Sequence, residues 1–160
     1  MILSEDNIRL VRNVIDALNT GDTTSVSEFI GSNYFNHESQ MDPVRSKMRG
    51  PQEFIDTVVN IRKAFSDLHY ELLDIVASNE KVISIVSVKG KHTGSFFEFI
   101  PPTGNKISYQ AVHIFTIGDG KITEHRAIRD DLALMYQLGG VKAATLQYEN
   151  FLKDWKAVRS

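Results

Sequence analysis

Apolar residues recur at helical spacing in two stretches of the N-terminal half of the chain, and each stretch predicts a helix with one buried face. The first covers about residues 4–19, where Ser4 is a suitable N-cap and Gly21 ends the pattern. The second begins at Pro51, a residue type favoured in the first turn of a helix. The two apolar stripes consist of Ile8, Val11, Ile15 and Leu18, and of Phe54, Val58, Ile61 and Phe65.

The part of the chain after the second helix predicts strands. Between the two helices, "TTSVSEFI" predicts a short helix and "NYFNH" a brief extended segment. Helices first and strands later favour an α+β domain, with helices covering one face of an antiparallel sheet. "DLALMYQLGG" predicts a helical turn, and about residues 141–157 predict a final amphipathic helix. The predicted strands are "LHYELLDIVA", "EKVISIVSVKGKHTG", "SFFEFI", "KISYQAVHIFTI" and "KITEHRAIRD".

The strand "KVISIVSV" is apolar on both faces. Val82, Val86 and Val88 share one face, while Ile83 and Ile85 share the other. An antiparallel sheet with one side in water alternates apolar and polar residues, so both faces of this strand should be covered. We therefore expect a second copy of the chain on the outer face, as a homodimer or a higher homo-oligomer.

Composition excludes several classes of protein. A chain of 160 residues fits one domain, and its net charge of −2 gives no field that would favour nucleic acid or an anionic membrane as partner. There is no cysteine, which excludes disulfides and thiolate chemistry. The first ten residues lack the basic and apolar regions of a signal peptide, so we expect a cytoplasmic protein.

The last two predicted strands bring several polar side chains together that could form a functional site. If Asp119 and Gly120 form a two-residue turn, Ile117 pairs with Ile122 and the hairpin register is fixed. Strict alternation then places four polar side chains on one face among aliphatic groups. A shift of one residue would break this alignment. The four are Tyr109, His113, Arg126 and Asp130.

The two acids after the last strand admit two interpretations. A carboxylate in an apolar cavity has its charged form disfavoured, so it can take and return a proton near neutral pH. Tyr109 or His113 could then hydrogen-bond an enolate oxygen. Alternatively, Asp130 or Asp131 caps the helix that begins at Leu132. The presence of two adjacent acids is also explained if Asp130 faces the cavity while Asp131 caps the helix.

The segment "GKITEHRAIRDDLALMYQLG" resembles the closing motif of the SnoaL-like polyketide cyclases, or ester cyclases, of the nuclear transport factor 2-like superfamily. "NYFNH", "GPQEF", "AFSDLHYELLDIVASNEKV" and "GKHTGSFFEFIPPTGNKI" match in family order. The resemblance covers about residues 5–140. It implies a cone-like α+β barrel, in which a curved antiparallel sheet packs on N-terminal helices around an internal pocket. We expect a single domain of residues 1–160, with an extra C-terminal helix over 141–160.

The resemblance also implies roles for individual residues. The family's aspartate, which removes an activated proton and returns one to the new alkoxide, matches Asp130, seven residues before Gln137. The family's histidines match His37 and His92, which are carried over as pocket candidates that bind substrate. Arg126 stands where the family often has tryptophan. An arginine there could bind an anionic substrate group or pair with the Asp130 carboxylate.

The resemblance implies an enzyme without metal or organic cofactor. It would act on a small hydrophobic ketone or ester through an enolate, by an intramolecular aldol condensation, with Asp130 as acid and base. No H-x-H or H-E-x-x-H spacing indicates a metal site. Isomerisation, dehydration or hydrolysis in the same cavity remains open, because a fold does not fix a reaction. A binding protein that has the cavity but no activity is the third possibility.

Overall fold

The fold is described by a computed structural model, which covers residues 2–96, 100–139 and 153. The predicted helices at 4–19, 51–65 and in "DLALMYQLGG" are confirmed, and the predicted C-terminal helix over 141–160 lies outside the described residues apart from Lys153. In chain order the elements are α1 (Ile2–Thr20), α2 (Val26–Phe29), β1 (Ile30–Asn36), two 3₁₀ turns (His37–Met41 and Arg45–Lys47), α3 (Pro51–Ala64), β2 (Phe65–Ser78), β3 (Lys81–His92), β4 (Lys106–Gly118), β5 (Lys121–Arg129) and α4 (Asp131–Gln137).

The five strands form one curved, mixed sheet in the order β1-β5-β4-β3-β2. β1 runs parallel to β5, and the other neighbours are antiparallel. The predicted α+β fold, a curved sheet packed on N-terminal helices, is confirmed. One strand differs from the antiparallel expectation, because "NYFNH" contributes to β1, which runs parallel to β5, and within the described residues the sheet does not close. "SFFEFI" contributes a single bridge, Phe96 to Ile100, among the described residues.

The helices bury their apolar stripes against the inner face of the sheet. Val11 is fully buried on α1, and Val58 of α3 is 1% exposed. Burying a side chain of this size contributes about 1.5–3 kcal/mol relative to leaving it in water, so the stripes are a large part of folding stability. The inner face of β3 contributes Val82, Val86 and Val88, each at most 1% exposed.

The outer face of the sheet is more open. Ile83 is 37% exposed and Ile128 is 69% exposed. Across the strands Ile83 pairs with Ile114, and Ile85 pairs with Val112, so apolar rows cross the outer face. The second apolar face of β3 therefore exists as predicted, and its cover by another copy of the chain stays a prediction.

The hairpin between β4 and β5 decides which side chains face inward. Asp119 and Gly120 have φ of 50° and 72°, as a two-residue type I′ turn requires, and Ile117 pairs with Ile122 as predicted. The next pair is Thr116 with Glu124, so Thr123 is an extra residue in β5. Its hydroxyl donates to the Thr116 carbonyl at 3.2 Å. Beyond this β-bulge the alternation of β5 is reversed relative to strict pairing.

Gly50, the residue before α3, is required by the backbone. Its φ is +81°, and a Cβ there would lie 2.7 Å from the Ser32 carbonyl oxygen. Gly104 has a similar φ of +74°, but a Cβ there would meet nothing within 4 Å. A substitution at either position would have to adopt a left-handed backbone conformation, but only at Gly50 would the new Cβ also clash with Ser32.

We predict that Gly50→Ala lowers the free energy of unfolding by at least about 1 kcal/mol more than Gly104→Ala. Gly104→Ala should cost only the left-handed conformation, about 1–2 kcal/mol, whereas Gly50→Ala adds backbone overlap. Urea unfolding of both variants measures the difference. Equal losses would show that the contact with Ser32 relaxes without cost.

Candidate active site

A cavity of about 320 Å³ lies between α1, α3 and the inner face of the sheet, with Leu134 of α4 contributing to its wall. Volumes of 300–1,000 Å³ are typical of sites for small molecules. Its wall combines aromatic and aliphatic side chains with a group of polar side chains. The aromatic residues are Tyr34, Phe54, Tyr70, Phe96, Tyr109 and Phe115, and the polar group includes Asn36, Glu38, Arg45, His113, His125 and Arg129.

Two histidines of the hairpin are hydrogen-bonded to each other in the wall of the cavity. Nδ1 of His113 lies 2.8 Å from Nε2 of His125, and Nδ1 of His125 lies 3.0 Å from Oδ1 of Asn36. The bulge at Thr123 brings the rings together, because it turns His125 to the inner face of the sheet. The parallel pairing of β1 with β5 places Asn36 beside His125.

Asn36 is tied in turn to a buried carboxylate. Oε1 of Glu53 accepts from Nδ2 of Asn36 at 3.2 Å, from the Ser39 hydroxyl at 2.5 Å and from Nη2 of Arg45 at 2.7 Å. Glu53 is fully buried in the first turn of α3, so its charge needs these partners. Arg45 also donates to the Thr57 hydroxyl. The ion pair links a 3₁₀ turn to α3 and holds the polar end of the cavity together.

Burial keeps both histidines neutral at neutral pH. Desolvation, with a smaller contribution from the Arg129 charge, lowers the pKa of His113 from 6.5 to about 4. Desolvation also lowers the pKa of His125 well below 6.5, and His113 and Arg129 add to this effect. A neutral imidazole has one N–H donor and one lone pair, so each ring can pass a proton in a defined direction.

One arginine and two tyrosines, Arg129, Tyr70 and Tyr109, line the cavity beside the histidines. The Arg129 guanidinium pairs with Glu38 at 3.5 Å and with Asp131 at 3.1 Å, and these acids raise its pKa despite burial. Burial also raises the pKa of Tyr70 and of Tyr109, so both phenols keep their protons. This arrangement offers donors that could stabilise an enolate or alkoxide oxygen.

Comparisons with known proteins relate this chain to one family. The family model described as SnoaL-like polyketide cyclase matches residues 8–138. The chain belongs to the SnoaL-like polyketide cyclases. It is 35% identical over 134 residues to an aklanonic acid methyl ester cyclase, DnrD of Streptomyces peucetius, covering 82% of this chain and 90% of that one. It is 32% identical over 127 residues to the nogalonic acid methyl ester cyclase of Streptomyces nogalater, covering 79% and 92%.

Solved structures share the fold of this family member. TsrD from Streptomyces laurentii superimposes with a TM-score of 0.76 at 24% identity, over 86% of this chain and 97% of that chain. A SnoaL-like polyketide cyclase from Agrobacterium tumefaciens gives a TM-score of 0.68 at 16% identity, over 82% and 97%. The described helices of this cyclase-family chain include none that is long and apolar enough to cross a membrane.

Asp130 does not face the cavity as the strict alternation predicted. Its side chain is exposed, and its Oδ1 accepts from the Ala133 backbone N–H at 3.0 Å, which makes it the N-cap of α4. Of the interpretations left open by the sequence, the cap at Asp130 agrees with the structure, and the one with Asp130 inward and Asp131 capping does not, since Asp131 pairs with Arg129. The bulge at Thr123 is the physical reason, because it sends Arg129 inward and Asp130 outward. The catalytic role that the resemblance assigns to Asp130 stays a prediction.

The other predicted residues divide between the cavity and its surroundings. Tyr109 and His113 line the cavity as expected. Arg126 is exposed on the opposite face, since it pairs with Ile114, and the expectation that it points inward is wrong. His37 packs on Phe35 and bonds Glu124 at 3.0 Å, outside the lining residues.

His92 is also placed outside the lining of the cavity. It is fully buried against Phe65, and its Nδ1 lies 3.0 Å from the Thr103 hydroxyl. Desolvation lowers its pKa from 6.5. A buried structural histidine is the role this geometry supports, while its binding of substrate stays a prediction.

Sequence reasoning missed His125, Arg129 and Glu53. Strict alternation along β5 would place the first two on the outer face, and only the bulge brings them inward. Glu53 stands in the first turn of a helix, where an acid is ordinarily a solvated partner of the helix dipole. Among the described residues no cluster of three or more His, Cys, Asp or Glu side chains is placed to hold a metal ion.

The two neutral histidines predict loss of stability in mild acid. Above pH 6.5 neither state binds a proton on these rings. As pH falls from 6.5 toward 4, the unfolded chain takes up protons that the folded chain excludes, so the free energy of unfolding should fall. The slope is at most about 1.4 kcal/mol per pH unit for each histidine.

Urea unfolding between pH 7.5 and 4.5 measures this slope. His113→Asn should reduce it, because the variant has one fewer proton to take up on unfolding. An identical slope in the variant and in the unmodified protein would show that His113 takes up its proton over the same pH range in the folded and unfolded states.

Proposed function

We propose that this chain is a cofactor-independent cyclase, which closes a ring of a small polyketide methyl ester by intramolecular aldol condensation. The observation that carries the proposal is a cavity of about 320 Å³ with aromatic walls and a hydrogen-bonded polar end, in a member of the SnoaL-like polyketide cyclases. The relatives named for aklanonic and nogalonic acid methyl esters support this substrate class.

The groups in the cavity suit chemistry through an enolate. Removing a proton beside a carbonyl leaves negative charge on an oxygen, and preorganised donors lower the energy of that charge. Arg129 supplies a cation, and Tyr109 keeps its phenolic proton. The aromatic side chains in the wall suit a flat, hydrophobic substrate. The absence of cysteine and the small net charge fit a cytoplasmic enzyme of this kind, which we include in the proposal.

Turnover of aklanonic acid methyl ester and of nogalonic acid methyl ester tests the proposal. We expect loss of at least one ester and formation of a cyclised isomer of equal mass, followed by chromatography and mass spectrometry. Dialysis against a chelator should leave the rate unchanged. Binding of either ester without conversion would instead support the binding-protein alternative, and a product of different mass would support hydrolysis or dehydration.

Asp130→Asn tests the role that the resemblance assigns to Asp130. Asparagine is as good an N-cap as aspartate, so the fold should be kept, whereas Asp130→Ala should cost about 1 kcal/mol. A loss of turnover in the asparagine variant at unchanged stability would support proton transfer by Asp130. Unchanged turnover would remove that assignment.

We also propose that two copies of the chain pack through the outer face of the sheet. Support comes from the apolar rows that cross this face, in which Ile83 pairs with Ile114 and Ile128 with Val112. Light scattering at micromolar concentration should give twice the chain mass of 18.1 kDa.

Ile128→Lys should shift this mass toward the monomer, because it places a charge on the apolar face. Val44→Lys is the matched control, since Val44 is 71% exposed and lies off the sheet. A monomeric unmodified chain would contradict the proposal.

A further inference from the structure

Tyr34 is a buried tyrosine whose hydroxyl has no hydrogen-bond partner among the described residues. Its side chain belongs to β1 and is 2% exposed. A buried hydroxyl has lost its water, so in folded proteins it is ordinarily hydrogen-bonded. Tyr70 and Tyr109 in the same wall differ from Tyr34, because their side chains interact with each other. The hydroxyl of Tyr34 is therefore free for a ligand.

This hydroxyl opens into the cavity. In the described part of the chain, the side-chain atoms that are fully enclosed and unpartnered are Arg45 Nε, Glu53 Oε2, Ser84 Oγ and His92 Nε2. The Tyr34 hydroxyl is not among them, so it keeps some accessible surface. Tyr34 is a lining residue of the cavity, and we therefore place this surface inside the cavity, where a bound molecule can reach it.

The ring that carries the hydroxyl is held in place from two sides. It packs edge-on against Phe54, with ring centroids 6.4 Å apart and ring planes at 88°. Phe54 packs in the same way on Phe29, at 6.0 Å and 78°. The Tyr34 carbonyl accepts from the Gly50 backbone N–H at 2.9 Å, which ties β1 to the start of α3. A group that is already fixed loses little conformational entropy when it binds a ligand.

The hydroxyl is a hydrogen-bond donor at neutral pH. Burial, followed by the charge of Glu53, raises the pKa of Tyr34 well above 10, so the phenol keeps its proton. Its natural partner in a ligand is an acceptor oxygen. Ketone and ester carbonyls supply such an oxygen.

The charges around Tyr34 decide what kind of oxygen fits. Two carboxylates, Glu53 and Glu38, act on the hydroxyl against one cation, Arg45. Negative charge that develops on an oxygen at this position would be repelled by the two carboxylates. An enolate is stabilised better beside the Arg129 guanidinium, which also lines the cavity. The oxygen bound by Tyr34 therefore stays neutral during the reaction.

We propose that the Tyr34 hydroxyl binds a carbonyl oxygen of the substrate that does not become the enolate or the alkoxide, and that Tyr34 is thereby a specificity-determining residue. This inference rests on the proposed cyclase function and leaves the acid and base role of Asp130 unchanged. A hydrogen bond to an oxygen that stays neutral is equally strong in the bound substrate and in the transition state. Such a contact lowers KM without raising kcat.

Tyr34→Phe tests the proposal with aklanonic acid methyl ester as probe, because it removes one oxygen and keeps the ring. We expect KM to rise about 5- to 100-fold, the effect of leaving a buried acceptor unpaired, with kcat within about twofold. Tyr136→Phe is the matched control, since it removes a hydroxyl of α4 outside the lining residues. Its KM and kcat should stay within about twofold of the unmodified protein.

Two kinetic results would overturn the proposal. One is a KM in Tyr34→Phe within twofold of the unmodified protein, because the hydroxyl would then not touch the substrate. The other is a fall in kcat as large as the fall in kcat/KM, because the hydroxyl would then act on charge that forms in the transition state.

Stability distinguishes the binding role from a structural one. Since the hydroxyl has no partner in the described chain, Tyr34→Phe should leave the midpoint of urea unfolding unchanged or raise it. A lower midpoint would show that the hydroxyl is bonded within the folded protein, and it would overturn the proposal.

A binding measurement separates failure of this inference from failure of the proposed function. Rapid-mixing absorbance of the ester gives its Kd before any conversion, and this Kd should rise in Tyr34→Phe by about the same factor as KM. Binding without conversion, with a higher Kd in the variant, would support the contact at Tyr34 and contradict the cyclase function. Cyclisation with an equal Kd in both proteins would overturn the contact and leave the function standing. No binding of the ester by the unmodified protein would contradict both.

Discussion

The buried carboxylate of Glu53 is the interaction on which the polar end of the cavity depends. A charge that is fully buried is tolerated only when it is paired and hydrogen-bonded, and removing one partner typically costs about 3–5 kcal/mol. Oε1 of Glu53 accepts from Arg45, Ser39 and Asn36, which come from the end of β1 and the 3₁₀ turns that follow it. Its Oε2 is buried without a hydrogen-bond partner among the described residues. This requirement fixes the end of β1 against the start of α3, and it fixes the amide of Asn36 toward the sheet.

The orientation of the Asn36 amide also decides which atoms donate and which accept in the hydrogen bonds of the β4–β5 hairpin. Each neutral imidazole converts an acceptor on one side into an acceptor on the other, so Asn36 determines the tautomers of His125 and then of His113. A carboxylate that is not itself among the lining residues can thus orient polar side chains of the cavity wall. Burial lowers the pKa of both rings, because it removes the water that would solvate their charge.

The extra residue in β5 is the second decisive feature. Side chains alternate strictly along a regular strand, so one inserted residue exchanges the two faces beyond it. At Thr123 this exchange brings His125 and Arg129 inward and turns Arg126 and Asp130 outward. The prediction of a polar group on the inner face of the hairpin was therefore right in kind and wrong in half of its members. Tyr109 and His113 lie on β4, before the exchange, and their placement was confirmed.

The sequence by itself determined the helices, the α+β class, the two-residue turn at Asp119 and Gly120, and membership of a cyclase family, because these depend on local spacing and on motifs in chain order. Only the tertiary structure decided that β1 joins the sheet parallel to β5, that β5 contains a bulge, and that Glu53 is buried. The physical reason is that a bulge and a buried charge are stabilised by partners distant in sequence. Glu53 meets Asn36 17 positions away, and His125 meets Asn36 89 positions away. No local pattern records either contact.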